Sequence, residues 1–383
     1  MFAFTKAQQA IRKAAKDFAK GELDKETTSQ WEKDSAFPKD VWEKAAELGF
    51  LGIHLPEKYS GGGLGMLDSA LIMEELCRKD STVGVALGYA SHASECLLHW
   101  GSDALKDAFL PKVTEGETLS AGAFGESQRG GDFSATATTA VKQGDEWVIN
   151  GLKTHVPNGG LAGFYVVLCQ TDPEAAKPEQ SASLILVEAN RQGLSTESLG
   201  RKLGANMTPS ANLILNNVRV PLDNLIGKEG QALAYAREFT DENKIILAAQ
   251  ALGTALGSYD RMMDYVKGRE QFGRKLAQFQ ISQHKIADMA TKIELSALIT
   301  YKAAWVRDQG KMDNTLCSMA KMTACRTAME VSAHSIQLLG GYGYMTEYEV
   351  ERYYRDAKTL EIMAGTAGVQ KDIIAQNAIG KIR

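Results

Sequence analysis

Arg269 stands in the segment Gly268-Arg269-Glu270-Gln271-Phe272-Gly273, and a planar guanidinium can hold two phosphate oxygens at once. Further along, Gln337 precedes Leu339-Gly340-Gly341-Tyr342-Gly343, where glycines let backbone approach a ligand closely. Glu242 is a carboxylate able to accept a proton, whereas its neighbour Asn243 is an amide and cannot. One residue rotates about 100° around a helix, so the two are expected to face different ways. The plainer reading of Glu242 is an exposed first-turn carboxylate favoured by the helix dipole. His155 could donate a proton, although a lone histidine more often packs or hydrogen-bonds. Cys77, Cys96, Cys169, Cys317 and Cys325 form no CxxC pair. They read as buried free thiols, with neither a disulfide framework nor a zinc site expected.

These residues need elements to position them, and the 383 residues, 44% of them hydrophobic, suffice for a substantial core. Residues 1–118 read as an all-α domain broken at Pro38, at Gly61-Gly62-Gly63-Leu64-Gly65 and at Pro111. Phe4 and Thr5 suggest a staple and cap for a first helix carrying Ile11, Ala14, Ala15 and Phe18, and Asp17 and Glu22 argue against a transit peptide. Pro38 begins a helix with Val41, Ala45 and Leu48 on one face, which Gly49 ends. Residues 119–227 turn to short apolar runs at 135–141, 147–149, 165–169, 183–187 and 213–220, separated by Gly144-Asp145, Asn158-Gly159-Gly160 and Asp223-Asn224. A compact antiparallel β domain is predicted there. Residues 228–383 return to helical periodicity over about 231–266, 279–309 and 313–340, with two shorter helices after them, as in a four-helix bundle. The fold class is therefore α+β. Because the strands do not alternate with helices, the order is not that of a Rossmann fold. The glycine run at 61–65 then reads as a flexible connection and not as a phosphate loop.

A net charge of −4 without a basic region excludes the electrostatic footprint of a nucleic-acid binder. No apolar run approaches the roughly 18 residues of a membrane span, so a soluble, cytoplasmic protein without a membrane partner is expected. Asn206-Met207-Thr208 matches a glycosylation sequon by chance.

The stretch Gln337–Gln370, QLLGGYGYMTEYEVERYYRDAKTLEIMAGTAGVQ, resembles the C-terminal FAD-binding region of acyl-CoA dehydrogenases. The resemblance covers nearly the whole chain, and the α, β, α order is that family's architecture. It implies FAD as cofactor, an acyl-CoA or acyl-carrier-protein thioester as substrate, an electron-transfer flavoprotein as acceptor, and a homotetramer in which a neighbour completes the FAD site. It further implies that Arg269 meets the FAD pyrophosphate, with Phe272 and Gln280 at the family spacing. Gln337, Gly340 and Gly341 would approach the diphosphate and ribityl region, with Thr366 and Gly368 beside the cofactor. The segment Ala123–Asp132 is similar to a flavin-contacting stretch, matching at Glu126, Gly130 and Asp132. Phe124 belongs to it, but Gly125 replaces a flavin-contacting Thr and Gly131 replaces a Ser. His155 takes the place of a flavin-covering Trp, and Pro157 that of a hydroxyl at flavin N5, although proline offers no donor. Ser91 and His92 lie on a segment that reaches the acyl pocket in the family. Asp241 matches a position near the pantetheine, with Lys244 replacing the usual Arg beside it.

The same resemblance exposes a missing base. Most members carry Glu immediately before Gly365-Thr366, where this chain has Ala364. A minority, the isovaleryl and long-chain types, carry it on an earlier helix, where this chain has Asn243. Glu242, by a local shift, is the candidate base; Glu361, Ser91 and His92 are alternatives. The expected function is FAD-dependent α,β-dehydrogenation of an acyl-CoA with a non-standard base. The rivals are desulfinase-like non-redox elimination, oxidation of a carrier-protein-bound acyl group, and non-catalytic binding of flavin or acyl-CoA.

Overall fold

The computed structural model describes residues 3–128 and 130–380, so Arg129 of the Ala123–Asp132 segment lies outside the described residues. The helical opening comprises α1 (Lys6–Glu22), α2 (Lys25–Asp34), α3 (Lys39–Glu47), α4 (Met66–Lys79), α5 (Ser81–Gly88), α6 (Ser94–Trp100) and α7 (Asp103–Thr114). The Thr5 hydroxyl accepts the Gln8 N–H while Gln8 Oε1 accepts the Thr5 N–H, a capping box that starts α1. α3 begins directly after Pro38, and Gly49 with φ +71° ends it. The glycine run is not a flexible connection. Gly61 and Gly62 press on the backbone of Leu55 and Ile53, where an added Cβ would come to 2.2 Å and 2.7 Å from the carbonyl oxygens. It is a tight turn that holds the Gly52–Leu55 segment against α4.

The middle strands are β1 (Leu119–Ala123), β2 (Thr139–Gln143), β3 (Glu146–Pro157), β4 (Ala162–Gln170), β5 (Ala182–Glu188), β6 (Leu194–Ser198), β7 (Ser210–Pro221) and β8 (Leu225–Ile226). They form one sheet in the order β6-β7-β3-β2-β4-β5-β8, with β1 beside β4. The expectation of a purely antiparallel sheet is corrected here: β1 runs parallel to β4, from Ser120 opposite Phe164 to Ala123 opposite Val167. β1 escapes sequence reading because Leu-Ser-Ala-Gly-Ala is buried throughout and neither alternates nor contains a β-branched residue.

The C-terminal part holds α8 (Ala232–Gly268), the hairpin β9 (Glu270–Gln271) and β10 (Arg274–Lys275), α9 (Gln280–Asp308), α10 (Asn314–Leu339), α11 (Val350–Ile362) and α12 (Ala367–Ile379). α8, α9, α10 and α11 pack together as a bundle. α8 is buried on nearly all sides, because α10 covers one flank and α4 another. Gly253 and Gly257 allow that second crossing, where an added Cβ would stand 2.2 Å from the carbonyl oxygens of Glu74 and Arg78. This close approach brings one face of α4 beside the Glu242 stretch of α8. All five cysteines are buried and free. Asn206 is buried and bonded to Glu32 and to the Lys202 N–H, so its amide is not presented to solvent. Among the described residues no helix is long and apolar enough to cross a membrane.

Candidate active site

A narrow cavity of about 40 Å³ opens between α4, α6, the end of α5 and α8. Ser91, His92, Glu242 and Asn243 all line it, so the fold unites residues that lie far apart in the chain. His92 Nδ1 accepts the Gly122 N–H at 3.1 Å, which leaves its proton on Nε2. Burial lowers its pKa to about 4, so it is neutral near pH 7. Its ring lies between those of Tyr89 and Phe239.

Glu242 and Asn243 share this wall despite the helical rotation between them. Glu242 is neither exposed nor in the first turn: it sits deep inside α8 with a side chain 5% exposed. Its Oε2 accepts from His99 Nε2 at 2.8 Å, and its Oε1 lies 3.5 Å from Arg307 Nη2. Burial pushes the carboxyl upward, but the hydrogen bond and charge of His99, followed by Arg307, outweigh it and hold the pKa below the ordinary value. For His99, burial is in turn outweighed by Glu242, which raises the imidazole pKa. Asn243 instead lies against the buried Tyr89 hydroxyl.

Ala364 does not line this cavity. It adopts φ +52°, and its carbonyl and that of Gly365 are held by Gln370 Nε2 at 2.9 and 3.0 Å. Lys321 Nζ donates to the carbonyls of Gly365 and Glu361, each at 2.8 Å. Glu361 pairs with Lys358 and lines neither cavity, so the structure does not bring it to the site. Asp241 is paired with buried Lys244 at 2.7 Å, and Lys244 also reaches Ser318 on α10.

A second, open cleft of about 490 Å³ is lined by Arg269, Gln271, Gln337, Gly340, Gly341 and Tyr342, among others. Arg269 ends α8 with its guanidinium over the Tyr342 ring at 5.7 Å. A Cβ added to Gly340 or Gly341 would meet nothing, so their backbone faces open space. Phe272 and Gly273 link β9 to β10 with φ +52° and +76°, the left-handed pair of a type I′ turn. An aromatic residue held there and 94% exposed is unusual. Gln280 is exposed at the start of α9. Thr366 precedes α12 without making a side-chain cap, and Gly368 follows in the first turn, which leaves the first amides of that helix without a side-chain cap from Thr366.

On the sheet, Glu126 anchors the loop that carries Phe124 and Gly125. It accepts from Lys153 Nζ at 2.7 Å, from the hydroxyls of Thr136 and Thr138, and from the N–H groups of Ala137 and Thr138. Burial opposes ionisation, but Lys153, the Ala137 amide and Thr136 outweigh it and lower the pKa to about 2. The Thr154 N–H donates to the Gly125 carbonyl, tying this loop to β3. His155 sits exposed in a β3 bulge at φ +55°, two residues before half-buried Pro157. Gly131 is exposed, with open space beside it.

Models of the acyl-CoA dehydrogenase N-terminal, middle and C-terminal domains match residues 5–117, 121–218 and 230–379. The chain belongs to the acyl-CoA dehydrogenase family. It is 36% identical over 380 residues to the acryloyl-CoA reductase (NADH) of Anaerotignum propionicum, covering 99% of this chain and 96% of the relative. Butyryl-CoA dehydrogenase from Megasphaera elsdenii superposes with a TM-score of 0.94 at 32% identity, covering 99% of this chain and all of that one (100%). A chain in the structure of the electron transferring flavoprotein of Acidaminococcus fermentans gives a TM-score of 0.96 at 36% identity, with 100% of both chains covered.

This acyl-CoA dehydrogenase family member is thus a flavoenzyme oxidoreductase that carries FAD and acts on acyl thioesters. Its open cleft fits a diphosphate-bearing cofactor, since it combines a guanidinium with glycine backbone that nothing else covers. Sequence reasoning missed His54, Glu95, His99 and Arg307. His54 and Glu95 line the cavity, and the other two brace Glu242. No local pattern marks them, because their partners lie on distant segments.

Proposed function

We propose that this acyl-CoA dehydrogenase family member oxidises the α,β-bond of an acyl-CoA lodged in the narrow cavity, with Glu242 as a weak proton acceptor. The observation that carries this reading is the cavity wall itself. Glu242 and Asn243 stand together there with Ser91 and His92, while Ala364 supplies no carboxylate beside Gly365. When bound, FAD supplies the hydride acceptor. Glu242 is ionised and so able to take a proton, but protonating it weakens its interactions with His99 and Arg307. A base held in this way favours a substrate whose α-proton is already acidic. Neutral His92 presents Nε2–H as a donor within the same cavity.

Arg269, Phe272, Gln280, Gln337, Gly340, Gly341, Thr366 and Gly368 hold the cofactor in this account, with Phe124, Gly125, Gly131, His155 and Pro157 on the flavin side. Pro157 leaves the flavin with one donor fewer than a serine or threonine would give. Asp241, Lys244, Ala364 and Gly365 border the thioester, and the domains are 1–118, 119–227 and 228–383. The exposed Phe272 turn supports a homotetramer in which neighbours share cofactor sites. The likeness to the Acidaminococcus structure supports an electron-transferring flavoprotein as acceptor. The enzyme is cytoplasmic in this reading.

Replacing the amide tests the placement. Asn243→Glu is expected to raise anaerobic flavin reduction by a straight-chain acyl-CoA by about tenfold or more, within the range of an added general base. An unchanged rate in a folded, FAD-loaded variant would count against Asn243 facing the α-carbon.

A further inference from the structure

The cavity wall is not purely apolar. Phe50, Leu51, Met66, Met73, Leu87 and Ile246 give it a hydrocarbon lining, yet His54 and Glu95 interrupt that lining. Both are largely enclosed, with side chains 13% and 14% exposed. They face each other with His54 Nε2 3.5 Å from Glu95 Oε1, and the buried Nε2 has no hydrogen-bond partner. The Glu95 carboxylate faces this unpartnered nitrogen across the cavity wall. The other cavity carboxylate, Glu242, is already engaged by His99 and Arg307. His54 Nε2 is therefore left with unmet polar capacity beside the Glu95 carboxylate in an enclosed, mostly hydrocarbon space, which is costly unless a ligand meets it.

The available roles narrow the choice of ligand group. The Ser69 hydroxyl lies 3.1 Å from His54 Nδ1, and when it donates there, Nε2 carries the proton and points outward as a donor. A group that bridges Nε2–H and the Glu95 carboxylate from the cavity side must then accept from one and donate to the other. A hydroxyl does both. A methyl group does neither, an ammonium lacks an acceptor, and a carboxylate is repelled by Glu95.

We propose that Glu95 and His54 make this cavity selective for an acyl thioester bearing a hydroxyl on the distal part of its acyl chain. The inference rests on the reading of the cavity as the acyl site. A charge-assisted hydrogen bond in an enclosed site discriminates against the isostere that lacks it.

The test measures dissociation constants on FAD-loaded protein by calorimetry and flavin spectral change. It uses two matched pairs: 4-hydroxybutyryl-CoA with pentanoyl-CoA, and 5-hydroxypentanoyl-CoA with hexanoyl-CoA. The hydroxylated member of at least one pair is expected to bind about tenfold tighter or more. Glu95→Leu should abolish or invert that preference while the alkyl ester binds at least as well as before. Glu95→Gln, which keeps size and an acceptor, should give an intermediate preference if the leucine variant does not fold. Equal or tighter binding of the alkyl ester in both wild-type pairs would overturn the proposal and leave the acyl-site reading standing, as would a preference that survives Glu95→Leu. Failure of all four esters to bind would overturn both.

Discussion

At the scale of single residues, proton transfer turns on how Glu242 is held. His99 has a raised pKa, so the stabilising effect of its charge is complete below its unfolded value of about 6.5 and is lost as pH rises through the higher folded value. Glu242 has a lowered pKa, so its contribution is complete above the unfolded carboxylate value of about 4.3 and is lost as pH falls through the depressed folded one. The ion pair is therefore intact between these limits. Above them, neutral His99 no longer restrains Glu242, which becomes the stronger base. Flavin reduction by substrate should accelerate as pH rises through the His99 transition, and His99→Asn should flatten that limb of the pH–rate profile. An unaltered profile in the variant would show that His99 does not tune the base. Some of this chemistry was legible in the chain, because Arg269 and the Gly340-Gly341 pair each stand in a short local pattern, and the fold brings them to one cleft. Glu242 stands out in the sequence as a candidate, but its restraint does not, since His99 and Arg307 meet it only after α6, α8 and α9 have packed.

At the scale of elements, the loop bearing Phe124 and Gly125 depends on the buried Glu126–Lys153 pair. Glu126→Gln would leave Lys153 buried without its counter-charge, which costs on the order of 3–5 kcal/mol. Denaturant melts should show that loss, and a change below about 1 kcal/mol would mean the pair does not anchor the loop. Because the Glu126 pKa is lowered to about 2, its contribution is present above the ordinary carboxylate value and disappears as pH falls toward that number. Long helices were readable from periodicity: the sequence suggests about 231–266, and the helix spans Ala232–Gly268. Short strands were harder. β6 and β8 escaped along with β1, since a strand of two to five residues carries too few positions to show a period. The parallel placement of β1 beside β4 is a tertiary choice that no local pattern encodes.

At the scale of the whole molecule, helices from the N-terminal part and from the bundle close one cavity, while the other cleft lies at the end of α8 and α10. The α, β, α order was legible because long segments of distinct periodicity survive in sequence, and the family through the resemblance carried by Gln337–Gln370. The polar cavity wall was not, because it draws on four separated segments around Gly52, Ser69, Glu95 and Glu242. The substitutions Ala364 and Asn243 make the reaction itself the decisive question. The most direct measurement is anaerobic titration of the purified, FAD-loaded protein with a panel of acyl-CoAs, hydroxylated and plain, followed by product analysis. At least one ester is expected to bleach the long-wavelength band of the oxidised flavin and to yield its α,β-unsaturated product. A flavin that stays oxidised with every ester, although those esters bind, would contradict it.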